Sequence, residues 1–559
     1  MNMENLHVLS LFLPTFFLLS CSIPVVSQCL DDPRSALLQL QQGLYHSHNF
    51  TLSSKSELWD VNTDCCSWKG VTCDALGHVI GLDLSYRELS SNFQSVFNLH
   101  HIRREYFNSS TEWCQTAWLT LPNLRVLSLS DCGLPGSLCS SLSKLHFLSK
   151  LNLNPNPISY LPPNFLKISS RLVSLNLSCC NLSGHFPTEV FLSLKMQSID
   201  ISQNHNLEGQ LPTFPLNSTL KVLSLCGTNF SGKLPESLGN VKFLTKLELS
   251  LCNFSRQIPS TIANLRNLVH LNLEFNNFSG LIPSFHRSGV PNLAYLNLQR
   301  NRLSGPVHSS IFTLPSLHTL LLGGNQLVGE IDEFPNASCS LMQYLDLNHN
   351  YLSGSIPKSI VQLPRLELLS IGYNSFGSMR LDMLSQLKNL RARDLSNESL
   401  TSSQGSLPRS ICNLTQLKYF SVSNNKLSGS IPNCLGNISN LSLLQLGGNN
   451  FTGIFYGTIQ FSEAEKAFSM LHILDLASSK FSGDLSAQFL QCFKAMMLTI
   501  TDNKAKPKYV GDGYYHDSVT IVNKGNAIFY EKILSVFTCL DLSNNSFHGR
   551  IPEEIRNLI

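Results

Sequence analysis

The chain has 559 residues, 43% hydrophobic and only 14% charged, with 40 Lys and Arg against 37 Asp and Glu for a net charge of +3. That near-balance, without a basic run, supplies no face for nucleic acid or for an acidic membrane. The length would ordinarily imply several domains, but the pattern after residue 79 overrides that inference.

Residues 1–27 read as an export signal. Val8 to Val26 is apolar, interrupted by Pro14 and Pro24, and Val25-Val26-Ser27 offers small residues for cleavage before Gln28. Its leading residues lack Lys and Arg, so an N-terminal membrane anchor is the alternative. Either reading sends the remainder through the secretory pathway. The cysteine content agrees: 17 in all, with Cys21 inside the signal.

Residues 28–78 form a candidate N-terminal cap. Asp32 can cap a helix, Pro33 suits its first position, and Leu37, Leu40 and Leu44 then share a face. Trp59-Asp60 and Cys65-Cys66-Ser67-Trp68-Lys69-Gly70-Val71-Thr72-Cys73 follow. A zinc site is the competing use of these cysteines, but no C-x-x-C or partner histidine supports it.

From Val79 to 491 one phrase recurs. Leu268 to Pro283 reads L-V-H-L-N-L-E-F-N-N-F-S-G-L-I-P. The slot of Asn276 returns as Cys132, Asn156, Cys180, Asn204, Thr228, Cys252, Asn301, Asn325, Asn350 and Asn374, in steps of 24 or 25 residues. A period of about 20–29 with this pattern is the leucine-rich repeat. L-x-L is a short strand with leucines inward. Stacked coils pair these strands into a concave parallel sheet. The inward Asn satisfies backbone groups of a buried turn, and Cys or Thr there is a weaker substitute. The F/L-x-G-x-I/L-P tail adds a second turn. The expected fold is an α/β leucine-rich-repeat solenoid, a right-handed superhelix with a disulfide-bonded cap.

The array is irregular at 86–120, read as degenerate or deleted repeats or else a binding loop, and at 389–407, where Arg393 replaces a leucine. Cys412 and Cys434 occupy similar positions of successive coils and are a candidate bridge. Cys179 and Cys226 lie about two coils apart, near 10 Å, beyond the ~7 Å a disulfide spans. Cys132, Cys180 and Cys252 are expected as buried thiols. Residues 492–532 form an island without the leucine pattern, with Lys504, Lys506 and Lys508 and a strand-like Val519-Thr-Ile-Val run. Repeats restart over 533–559.

Three stretches carry a family resemblance: C-C-S-W-K-G-V-T-C in the cap, E-W-C-Q with L-P-N-L-R-V-L-S-L-S-D-C at 112–132, and the island end D-S-V-T-I-V-N-K-G with K-I-L-S-V-F-T-C-L-D-L-S-N-N. The chain resembles plant leucine-rich-repeat receptor-like proteins of the Verticillium-wilt and Cladosporium resistance type. The resemblance implies bridges Cys29–Cys65 and Cys66–Cys73. It implies an ectodomain at the outer face of the plasma membrane that binds an apoplastic protein or glycan ligand and signals through adaptor and co-receptor kinases. It also implies further repeats, an acidic spacer and a membrane span after Ile559, so the chain reads as truncated relative to that pattern; if Ile559 is the true end, the product is secreted.

Ligand contact is assigned to outward positions near the L-x-L strands, which become rich in aromatic and charged residues: His270, Glu274, Phe275, Tyr295, Gln299, Arg300, His318, Gln343, Tyr344, His349, Glu367 and Tyr373. Candidate glycosylation sites are Asn49, Asn108, Asn217, Asn336, Asn413 and Asn437. No P-loop, H-E-x-x-H, G-x-S-x-G or kinase signature is present, so no catalytic residue, cofactor or metal is assigned. The leading function is pathogen perception in plant defence. The alternatives are a secreted inhibitor or decoy like the polygalacturonase-inhibiting proteins, a developmental peptide receptor, and a non-functional fragment.

Overall fold

The computed structural model describes residues 28–46, 59–85, 121–134, 136–138, 140–377, 381–396, 406–454, 468–497, 519–523, 526–530, 534 and 537–558. Residues 1–27, expected as an export signal, Asn49, Asn108, the irregular segment 86–120 and much of 492–532 lie outside them. The chain divides into two compact units, one of residues 1–129 with 139–149 and one of 130–138 with 150–559.

In the first unit a helix spans Asp31–His46. It begins one residue before Asp32, so Asp31 and Asp32 both sit in the first turn, where carboxylates favour the helix dipole, rather than Asp32 at the cap. Ala36 and Leu37 are buried. Val71–Cys73 pairs antiparallel with Val79–Asp83, and Val126–Ser128 continues the sheet in parallel. Cys29 is bonded to Cys65 and Cys66 to Cys73, with Cα separations of 5.5 and 5.6 Å. The Asp64 carboxylate ties the two bridges together, accepting from the backbone N–H of Cys29 at 3.0 Å and of Cys66 at 2.9 Å. Trp59 stacks on Trp68 at 5.1 Å, and its Nε1 donates to the carbonyl of Lys69.

The second unit is the solenoid. One short strand per coil, from Lys150–Asn152 to Cys539–Asp541, pairs in parallel with its neighbours. The middle residue of each strand points inward, so Leu247, Leu271, Leu296, Leu320 and Leu345 form one fully buried column. The ladder residue closes the turn. Asn276 Nδ2 donates to the carbonyls of Leu249 (2.7 Å), Leu273 and Glu274, and its Oδ1 accepts from Phe254 N (2.9 Å). Where cysteine replaces it less is bridged: Cys252 Sγ reaches the Leu225 carbonyl at 3.1 Å. Cys132, Cys180 and Cys252 are buried and outside the disulfides, as are the less buried Cys179 and Cys226.

The G-x-I-P tail is more than a second turn. Its N-F-S-G segments, Asn229–Gly232, Asn253–Arg256 and Asn277–Leu281 among them, build a second parallel sheet of nine strands between Ser183–His185 and Ser375–Phe376. At Gly280, with φ +80°, a Cβ would come within 2.8 Å of Gln257 Cγ, so close stacking of coils selects glycine there. The third side is mostly 3-10 helix, such as Ser260–Asn264 and Ser309–Thr313, with short α-helices at Phe165–Ser169, Lys358–Val361 and Ala487–Gln491.

At the irregular coil, Ala392–Asp394 still pairs with both neighbours. Arg393 therefore points into the core. It is wholly buried, and its guanidinium nitrogens have no hydrogen-bond partner. Its nearest compensation is the Phe420 ring at 5.9 Å, and burial pushes its pKa down to about 9. In the next coils Cys412 and Cys434 are bonded, with Cα atoms 5.8 Å apart. Within the island, Val519–Asn523 pairs antiparallel with Asn526–Tyr530.

Candidate ligand-binding face

The twelve outward residues fall into four columns fixed by strand register. His270, Tyr295 and Tyr344 lie on the strands, in one row with Thr319. His318, Gln343 and Glu367 immediately precede strands. Glu274 and Gln299 follow them. Phe275, Arg300, His349 and Tyr373 occupy the turn position, each with φ between +50° and +58°. That left-handed backbone places the last four at the edge of the sheet rather than on it.

A connected network runs over the face. His270 Nε2 lies 2.9 Å from Glu248 Oε2, and Ser250 Oγ donates to Glu248 Oε1 at 2.7 Å. The His270 ring stacks on Tyr295, with centroids 4.4 Å apart. Asn297 Nδ2 reaches both Tyr295 Oη (3.3 Å) and Glu274 Oε2 (2.9 Å). Gln299 Nε2 donates to Asp346 Oδ2 at 2.7 Å, spanning two coils. At the edge, Arg300 sits over the Phe275 ring at 5.7 Å and His349 stacks on Tyr373 at 4.2 Å. His318 Nδ1 lies 2.9 Å from Thr319 Oγ1. Burial lowers the pKa of His318 and of His349, with help from His270 and Arg300 respectively. Glu367 pairs with Arg391 at 3.4 Å.

Sequence reasoning missed Glu248, Asn297 and Asp346. All three are the x between the two leucines of L-x-L, and all are almost completely buried beneath the larger outward side chains. The signal was available: that x faces outward just as the residue before the first strand leucine does. Among the glycosylation candidates within the described residues, Asn217, Asn336, Asn413 and Asn437 are exposed.

The repeat and its cap match known families. The leucine rich repeat N-terminal domain matches residues 30–74. The Leucine Rich Repeat matches 123–145, 171–191, 219–241, 243–265, 267–288, 342–363, 416–438 and 537–558. The fold is a leucine-rich-repeat solenoid. The chain is similar to plant receptor-like proteins: Receptor-like protein 6 of Arabidopsis thaliana is 32% identical over 274 residues, covering 40% of this chain and 28% of that protein. Receptor-like protein 32 of Arabidopsis thaliana is 27% identical over 439 residues, 77% of this chain and 35% of its own length. Receptor-like protein 9DC1 of Solanum pimpinellifolium is 30% identical over 33% of this chain and 26% of its own length. The matched stretches thus span little more than a third of these relatives at most.

The leucine-rich-repeat fold is also that of plant receptor ectodomains. The PEPR1–AtPEP1 crystal structure superposes with a TM-score of 0.61 at 25% identity, covering 83% of this chain and 64% of that one. The ectodomain of the Arabidopsis receptor kinase HAESA, solved with an IDA peptide hormone ligand, gives 0.56 at 24% identity over 95% of this chain and 92% of that one. At that identity the second likeness concerns the fold. This repeat array is a non-catalytic scaffold. No helix among the described residues is long and apolar enough to cross a membrane.

Proposed function

We propose that this chain is the ligand-recognition ectodomain of a plant receptor-like protein, acting outside the cell in pathogen perception. Its ligand is a protein or peptide that lies across the outward face between Glu248 and Tyr373. The observation that carries this reading is the Glu248–His270–Tyr295 network. Here rings are stacked and polar atoms already partnered, so the face meets a ligand with little ordering cost. Aromatic side chains with a polar rim suit peptide contact. Signalling passes to partner receptor kinases at the plasma membrane, in keeping with the similarity to receptor-like proteins.

The test uses the secreted chain immobilised and challenged with apoplastic wash from fungus-infected and healthy leaves. Peptides retained from the infected wash are identified by mass spectrometry. Exchanging His270, Tyr295, Arg300 and Tyr344 for Ser or Asn should abolish their retention. Equal retention by the exchanged protein overturns the assignment of this face. Equal retention from both washes overturns the pathogen reading and favours a developmental peptide.

A further inference from the structure

The outward face begins well before Glu248, in coils that the ligand reading leaves unused. On the strands Lys150–Asn152, Ser174–Asn176 and Ser198–Asp200 the outward side chains are short and polar apart from Lys150. Asn176 lies in the middle of them, beside Asn152 and Asp200 in register, and is partly exposed. With Leu177 and Ser178 it completes the triplet N-L-S, the acceptor pattern for an N-linked glycan in an exported chain. Of the described asparagines in such triplets, Asn176 alone lies on a strand of the principal sheet; Asn229, Asn253 and Asn277 start strands of the second sheet.

The hydrogen bonds fix which end of the amide is left over. Asn176 Oδ1 accepts from the backbone N–H of Ser178 at 3.0 Å and from its Oγ at 2.9 Å. Only the carbonyl end of a carboxamide accepts, so this pair of donors sets the orientation. Nδ2, the atom that carries a sugar, has no hydrogen-bond partner among the described residues. The turn itself does not call for an amide. One coil on, Asp200 Oδ1 accepts from Ser202 N at 3.1 Å and from its Oγ at 2.6 Å, so a carboxylate serves equally. Farther along the row Asn272 and Asn297 are buried, and Asn297 commits Nδ2 to Tyr295 and Glu274.

We propose that Asn176 carries an N-linked glycan rooted on the outward face itself. Attachment forms a bond from Nδ2 to the anomeric carbon of an oligosaccharide held on a lipid diphosphate. The sugar–phosphate bond breaks, the diphosphate leaves and Nδ2 gives up one proton. Oδ1 is untouched, so both bonds from Ser178 are kept. Ser174 and Ser198 are short enough to leave room above the sheet for the first sugars, whereas the stacked rings of His270 and Tyr295 already cover theirs. Three coil steps separate Asn176 from Glu248, roughly 14 Å at 4.8 Å each. The glycan thus occupies the early coils, and the aromatic stretch stays open to a ligand. This inference rests on the motif, exposure and hydrogen bonding of Asn176, so it stands apart from the identity of any ligand.

The experiment is mass spectrometry of the full chain secreted from plant cells. Tryptic cleavage after Arg171 and Lys195 gives one peptide with two acceptor triplets, at Asn176 and Asn181, so Asn181→Gln leaves Asn176 as its only acceptor. Enzymatic deglycosylation in heavy-oxygen water should convert Asn176 to labelled aspartate in most copies. Unmodified Asn176 in most copies overturns the proposal. Should that variant not be secreted, Asn176→Asp is made in the otherwise unchanged chain. It copies the Asp200–Ser202 arrangement, keeps the acceptor for Ser178 and cannot take a sugar. It should run one glycan smaller than wild type on a denaturing gel of whole-cell extract, because attachment precedes secretion. Unchanged mobility overturns the proposal.

Discussion

The imidazole of His270 lies flat on the ring of Tyr295, with planes 5° apart and centroids 4.4 Å apart. The two residues are register partners on adjacent parallel strands, so the stack follows directly from the 25-residue step of the repeat. Tyr295→Ala should lower stability by about 0.5–1.5 kcal/mol from the lost ring contact. Tyr295→Phe keeps the stack and loses the bond from Asn297 Nδ2. Thermal melts should rank wild type, Phe, then Ala. If Phe and Ala melt alike, the stack contributes nothing.

The ladder slot gives a pair of opposite predictions. Asn276→Ala strands the Leu249 carbonyl and the Phe254 N–H in a buried turn. Each unsatisfied group costs roughly 1–3 kcal/mol. Cys252→Asn supplies the residue found in the next coil at Asn276 and should raise the melting temperature. The pKa of Cys252, pushed up to about 11 by burial, fits an inert thiol in that slot. A Cys252→Asn protein that melts lower would show that the site is too tight for the amide.

Much of this was legible because side-chain period maps onto geometry. L-x-L fixed which leucines face in, and the Asn spacing fixed the turn. The second sheet was not legible, since N-F-S-G carries turn-type residues and becomes strand only by pairing with the coils beside it. Nor was the outward placement of Leu368. Leu368 and Leu369 are adjacent leucines, and only strand register assigns Leu369 to the core and Leu368 to the opposite face. The face residues were found in part. Glu248 and Asp346 hid inside the motif, where each resembles filler between leucines.

Arg393 is a charge at a leucine position, without a hydrogen-bond partner. Desolvating a cation there is unfavourable, and the Phe420 ring offsets little of it. Arg393→Leu should therefore stabilise the array by about 2 kcal/mol or more. Long repeat arrays lose single-step cooperativity, so the gain is best read by hydrogen exchange of the strands Leu368–Ser370 and Tyr419–Ser421. Faster exchange in Arg393→Leu would mean that the guanidinium contributes a favourable contact.

Asp475 supplies a pH dependence with a definite sign. Burial, with repulsion from Asp541, raises its pKa from 3.8 to about 6 against the stabilising N–H of Ala477. The folded carboxyl holds its proton more tightly than the unfolded one. Its contribution is thus fully favourable below pH 4, declines between about pH 4 and 6, and is lost above. A shift of about two units corresponds to at most roughly 3 kcal/mol. Asp475→Asn keeps the acceptor for Ala477 and cannot ionise. It should melt higher than wild type at pH 7, and the difference should shrink to nothing by pH 4. Parallel melting curves for the two proteins across that range would show that Asp475 is solvated in the folded chain.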